Sequence, residues 1–177
     1  MKKLVLFASF VALLVIIFGT IYVVAQQTQR ADANYPQIQI AEDVAASLNK
    51  GQKPSSLIGS KVDMNNSLAP FVIIYDKTGK VEAGSGLLNG KVPTVPKGVL
   101  TASDDQTYHT VSWQPQDGIR FAVVSVSANK YYVLSGRSIK QAEKNVTKTL
   151  LLAFSGGVLS VIVLGAIFML ERSKLLK

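Results

Sequence analysis

Phe71-Val-Ile-Ile-Tyr-Asp-Lys-Thr-Gly-Lys-Val81 reads as strand, turn and returning strand. Residues 71–75 are a compact run of branched and aromatic side chains. Asp76-Lys-Thr-Gly79 supplies a turn in which Gly79 can take positive φ, and residues 80–83 return as the second strand. Gly84, Ser85, Gly86 and Gly90, then Pro93 and Pro96, read as a mobile connection leading to Val99 and Leu100. A second β block follows, with strands over 108–114, 119–127 and 131–135. Its turns fall at Pro115-Gln-Asp-Gly118 and at Asn129, and three neighbouring strands so joined make an antiparallel meander.

Upstream, Ile38, Ala41, Val44, Ala45 and Leu48 have helical spacing along residues 35–49. Pro36 suits an early helical position there, and Gly51 suits the cap. Residues 50–66 carry Gly, Pro and Ser with no sustained period and read as a loop. On the other side, Ser138 and Gln141 have the spacing of a capping box. No proline interrupts residues 139–170, so one helix can leave the domain and continue through the apolar stretch, with Gly156-Gly157 as the place for a bend. The expected fold is α+β, an antiparallel sheet of about five strands with flanking helices.

Two uncharged apolar stretches, residues 4–25 and 150–170, bracket this domain, each near the roughly 20 residues that a helix needs to cross a bilayer. Lys2 and Lys3 precede the first, and Arg172, Lys174 and Lys177 follow the second. Basic flanks stay cytoplasmic, so both termini are expected inside and residues 26–149 outside. Lys140, Lys144 and Lys148 lie beside the second span on the exported side and oppose that assignment. The first stretch has a rival reading, a signal peptide cleaved near Val23-Val24-Ala25, although its apolar run exceeds the usual 7 to 15 residues. The expected organisation is an anchor over 1–25, an extracytoplasmic domain over 26–149, a span over 150–170 and a short basic tail over 171–177. The segment 26–149 is expected to fold alone, as a soluble monomer or weak homodimer.

The hairpin quoted above and Tyr131-Tyr-Val-Leu-Ser-Gly-Arg-Ser138, with a charged helix entering a membrane span, resemble the extracytoplasmic PAS-like or Cache sensor domains of bacterial two-component sensor kinases. The resemblance covers roughly residues 30–170 and lies in topology more than in any one motif. It implies a ligand-sensing module. Such kinases continue into a phosphoacceptor helix and an ATP-binding domain, which residues 171–177 cannot contain, so the output is expected to lie in a partner membrane protein or sensor kinase.

The net charge of +8 does not point to nucleic acid, because the bases are scattered among turns and membrane flanks. Anionic lipid headgroups suit the terminal lysines. With no cysteine there are neither disulfides nor thiolate sites. His109 is the only histidine, so a Ser-His arrangement has no spare base and no cluster has metal-ligand spacing. No enzyme activity, cofactor or metal is expected; Asp104-Asp105 with Asp117 is the nearest approach to a cation site, and adjacent acids in a polar loop are ordinarily solvated. Gly84-Ser-Gly86 lacks the Lys-Ser/Thr of a phosphate loop and reads as backbone flexibility.

Candidate ligand-binding residues are His109, Trp113, Arg120, Tyr131 and Tyr132, aromatic and polar groups gathered in the meander. Alternation puts His109, Val111 and Trp113 on one face of their strand, while core packing is the competing role for the aromatics and Asp117 a local partner for Arg120. In the second span, Ala153 with Gly157 and Gly156 with Ser160 are small residues four apart, spaced for helix packing in lipid, and Ala8 with Ala12 repeats the pattern in the first. Two functions follow: a sensor that passes a helix movement to its partner, or an assembly and scaffolding module of the cell envelope. An enclosed pocket in the meander favours the first, an exposed apolar patch the second.

Overall fold

The computed structural model describes residues 2–174, with side chains for all of these except residues 2, 3, 30, 33 and 171–174. The basic flanks Lys2, Lys3, Arg172, Lys174 and Lys177, on which the orientation rests, therefore lie outside the described side chains. In chain order the elements are α1 (Lys2–Asn49), a 3-10 turn (Pro54–Leu57), β1 (Val62–Asp63), β2 (Phe71–Asp76), β3 (Val81–Gly84) and β4 (Gly86–Leu87). Then come α2 (Lys97–Thr101), β5 (His109–Gln116), β6 (Ile119–Ser127), β7 (Tyr131–Ser138) and α3 (Lys140–Lys174). Two compact units result: Arg30–Ala142 forms one, and the described residues up to Gln29 with those from Glu143 onward form the other.

The first unit is α+β, built on a five-stranded antiparallel sheet in the order β3-β2-β7-β6-β5. The hairpin and the meander of the sequence reading are joined through β2 and β7, which pair from Phe71 opposite Gly136 to Asp76 opposite Tyr131. Alternation then gives the sheet two apolar faces. Ala41, Ala45 and Leu48 of α1 pack on Ile74, Val124, Val126 and Val133 on one of them. On the other, Phe71, Ile73, Tyr75, Trp113, Phe121, Val123, Tyr132 and Leu134 are covered by Met64, Val95 and Leu100 from the connections. Both faces are buried, and so a strand such as β6 is a continuous buried run from Phe121 to Val126.

The β2–β3 turn forms as its composition demands. Gly79 has φ 92°, and Asp76 Oδ1 accepts hydrogen bonds from the backbone N–H groups of Thr78 and Lys80, both at 2.9 Å. The Thr78 hydroxyl, at 2.6 Å, and these N–H groups hold the Asp76 carboxyl below its usual range.

Three expectations are corrected. Pro36 is inside α1, which runs unbroken from residue 2, and does not open a separate helix. Proline forfeits one backbone hydrogen bond there, and the buried stripe Gln37, Ala41, Ala45 and Leu48 holds the following turns on the sheet. Residues 50–66 contain the 3-10 turn and β1, and the Gly84–Gly90 connection is packed rather than loose: β4 pairs in parallel with β1, and Ser85 exchanges hydrogen bonds with Val72. Gly86 is required by space, since a Cβ there would lie 2.8 Å from Met64 Sδ. Thirdly, β7 extends to Ser138, whose hydroxyl accepts from the Lys140 N–H at 3.3 Å to begin α3.

The second unit contains the two apolar stretches. Both helices are long and apolar enough to cross a membrane, and only 0% and 6% of their most apolar windows is buried inside the protein, which sets them apart from core helices of a soluble fold. Phe7 and Phe168 meet as tilted rings at 5.2 Å between centroids, and Phe18 lies against Gly156 and Gly157, so the two stretches pack side by side in opposite directions.

Candidate functional site

The sheet face opposite α1 is where the meander would hold a ligand, and side chains fill it. Trp113 lies 5.8 Å from Phe121 between ring centroids, and Phe121 meets Phe71 edge-on at 5.3 Å. Tyr75 is fully buried and donates its hydroxyl to Pro93 O at 3.0 Å, and this burial pushes its phenol pKa up. Ser125 donates to Val99 O at 2.7 Å and so ties α2 to the sheet.

Of the five candidate binding residues, Trp113 and Tyr132 lie in this packed face but toward its two ends, Trp113 opposite Phe121 and Tyr132 opposite Ser127 along β6. Tyr131 packs on the opposite, α1-covered face, because neighbours in a strand point to opposite sides. Arg120 is exposed, and His109 is half-buried at the start of the edge strand β5. The five do not converge on one space. The aspartates do not converge either: Asp104 bonds to Ser127 at one end of β6, whereas Asp117 precedes its other end, with the nine-residue strand between them.

What the fold does assemble is a polar network at the end of the meander where β6 turns into β7. Asp104 accepts from the Tyr132 hydroxyl at 2.7 Å, the Ser127 hydroxyl at 2.8 Å and Lys77 Nζ at 3.3 Å. Lys77 also donates to Ser127 Oγ at 2.6 Å and sits 3.9 Å from the Tyr132 ring centroid, a cation–π distance. Hydrogen bonds from Tyr132 and Ser127, and then Lys77, lower the Asp104 pKa; burial and Asp104 together push the Tyr132 phenol up to about 12.

The signs bound its use. A lowered carboxylate contributes stability above its ordinary pKa that is lost as pH falls through the folded-state value. A raised phenol contributes stability below its ordinary value that is lost as pH rises toward about 12. The network thus stays whole across the neutral range and acts as a clasp between the β2–β3 turn, the loop after α2 and β7, without switching near pH 7.

A second polar set closes the other end. Asn65, Asn89 and Gln116 form a ring in which Asn65 donates to Asn89 at 3.3 Å, Asn89 to Gln116 at 3.2 Å and Gln116 to Asn65 at 3.2 Å. Asn89 and Gly90 have φ of 52° and 81°, and Leu88 and Lys91 exchange backbone hydrogen bonds across them. Asn-Gly is the composition of such a tight turn, a signal in the sequence that its reading as one loose connection passes over.

In the second unit, Gly156 faces a ring: a Cβ there would meet Phe18 Cε1 at 3.1 Å, and one on Gly157 would lie 3.5 Å from Phe18 Cδ2. Ala153 is buried, and Ser160 donates to Gly156 O of its own helix at 2.8 Å. The glycines thus make room for a phenylalanine of the first apolar stretch.

The chain matches no protein-family model, no curated protein and no solved structure. Its class is defined by its own geometry: an α+β sheet domain between two helices fit to span a membrane.

Proposed function

We propose that this chain is a membrane-anchored extracytoplasmic sensor module of the PAS-like or Cache kind, which passes a helix movement to a partner membrane protein or sensor kinase. The observation that carries the reading is the continuity of α3, one helix from Lys140 to Lys174 that begins two residues after the last strand of the sheet. A hydrogen-bonded helix resists local bending, so a displacement of β7 is carried along it. The hairpin-plus-meander arrangement, with β2 set beside β7, adds support. The filled sheet face favours a condition that alters packing as the input over a small molecule held in the meander. It also favours the second reading, an assembly module of the envelope that signals nothing.

One substitution separates the two. Val146→Pro, inside α3, costs about 3 kcal/mol of helix and kinks it. In a sensor, cells carrying Val146→Pro at normal abundance in the membrane fraction should reproduce the transcript profile of a strain lacking the protein. A profile equal to wild type would transfer the assignment to scaffolding.

A further inference from the structure

The seam between the two apolar stretches carries a groove of about 510 Å³, within the roughly 300–1,000 Å³ of small-molecule sites. Gly19, Ala153 and Gly157 give it depth, since none of them carries bulk. Exposed Val15, Phe154, Val158 and Ile162 raise its sides. The lining runs over residues 14–22 of α1 and 150–162 of α3. Beyond it, toward the chain ends, Phe7 meets Phe168 between the helices.

Depth and charge choose the occupant. Residues 150–162 rise about 18 Å along the helix, close to the roughly 15 Å of one leaflet and well short of the ~30 Å hydrocarbon core. A partner helix crossing the bilayer needs a seam along the whole core, whereas an acyl chain entering from the sheet domain's side needs only this half. Charge stands at the matching end. Lys144, Thr147, Leu151, Phe154, Val158 and Ile162 follow one another at steps of three and four, so exposed Lys144 shares the face of α3 that forms the groove's side. Lys148, also exposed, is one turn from it. The two lie about 9 and 3 Å before Leu150, at the level of a headgroup layer roughly 5–8 Å thick, into which lysine stems extend. Glu143 is the one acid of residues 140–149, against three lysines. Tyr22 lines the same end of the groove from α1, and tyrosine is a residue type that settles at headgroup level.

We propose that this groove is a lipid site, taking one acyl chain of an anionic phospholipid from the leaflet on the sheet domain's side, with the lipid phosphate held at Lys144 and Lys148. The groove orders the chain, and the two bases select the headgroup. This site is at the opposite end of the spans from the terminal lysines. The inference rests on the two helices lying in a bilayer, and it holds whether the module senses or scaffolds.

The test takes the full chain, tagged at its N-terminus so that the first helix is known to be present, in bilayer discs of phosphatidylcholine mixed with phosphatidylglycerol, and releases it intact into a mass spectrometer. Wild type should retain one phosphatidylglycerol per chain in preference to phosphatidylcholine. Lys144→Gln with Lys148→Gln should still retain lipid, with that preference lowered roughly 30-fold, about fivefold for each lysine. Gly19→Leu should abolish retention of both lipids. A Cβ on Gly19 meets nothing within 4 Å, so the new side chain fills the groove without displacing the helices. Phe154→Ala removes an exposed side of the groove and should weaken retention of both lipids; it keeps the proposal testable should Gly19→Leu fail to insert. Equal retention of the two lipids by wild type would overturn the proposal, as would retention unchanged in Phe154→Ala. So would a lipid-free wild-type dimer that Gly19→Leu turns into monomer, since a second copy would then fill the groove.

Discussion

Phe71→Ala is expected to destabilise the sheet domain by about 3–5 kcal/mol, the range for truncating a large buried aromatic side chain. Phe71 is 1% exposed, meets Phe121 edge-on and fills the space left by Gly136, where a Cβ would lie 2.6 Å from Phe71 Cζ and 2.8 Å from Val123 Cγ1. Small domains hold about 5–15 kcal/mol in total, so this one ring accounts for a large share. Gly136→Ala alone should cost about 1–3 kcal/mol by overpacking. In the Phe71→Ala background the added methyl enters the vacated space, and the pair should be more stable than the sum of the single effects; Val123 limits the recovery. Urea unfolding followed by the fluorescence of Trp113, the chain's one tryptophan and a neighbour of Phe121, measures all three variants. Strict additivity would show that the ring and the glycine do not share the space described.

The second expected effect lies where α1 meets the sheet. Ser135 donates to Gln37 Oε1 at 2.8 Å, and both residues are buried, at 0% and 1% exposure. Ser135→Ala should cost about 1–3 kcal/mol, because the Gln37 amide oxygen loses its donor where water does not reach. Gln37→Leu should cost a similar amount for the reciprocal reason. The double variant Gln37→Leu with Ser135→Ala replaces both partners by apolar groups and should regain most of that loss. A double variant as unstable as the two losses added would mean that the hydrogen bond is not what holds this pair. Because the bond joins α1 to β7, the single variants also weaken the tie between α1 and the sheet.

Local signals were the legible ones. The stripe Ala41, Ala45 and Leu48, the Asp76–Gly79 turn and the meander are each set by neighbours a few residues apart, and they can be read without knowing what they pack against. The pairing of β2 with β7 joins Phe71 to Gly136 across most of the domain, and no period reveals it. The Asp104 clasp draws Lys77 from a turn, Asp104 from a loop, Ser127 from one strand end and Tyr132 from the next, so it exists only after the sheet has formed. Two of its members stood out in the sequence, Tyr132 as a ligand contact and Asp104 beside Asp105 as an approach to a cation site, but not their pairing. Glycine misled for a physical reason: freedom at positive φ and room for a close neighbour look the same in a sequence, and Gly84 and Gly86 serve the second purpose. Gln37 was hidden because a polar residue in an apolar stripe reads as a gap, unless a partner such as Ser135 faces it.

The central claim, a sheet domain displayed outside the cell between two retained spans, is open to one direct measurement. The native chain has no cysteine, so a single introduced thiol reports its own position. Thr107→Cys, exposed on the loop before β5, should be labelled in intact cells by a membrane-impermeant maleimide. Ser173→Cys should be labelled only after the membrane is opened. Both variants should carry an N-terminal tag on the full-length band, as an uncleaved first span requires. Labelling of Ser173→Cys in intact cells with Thr107→Cys protected would place the sheet domain in the cytoplasm and contradict the account.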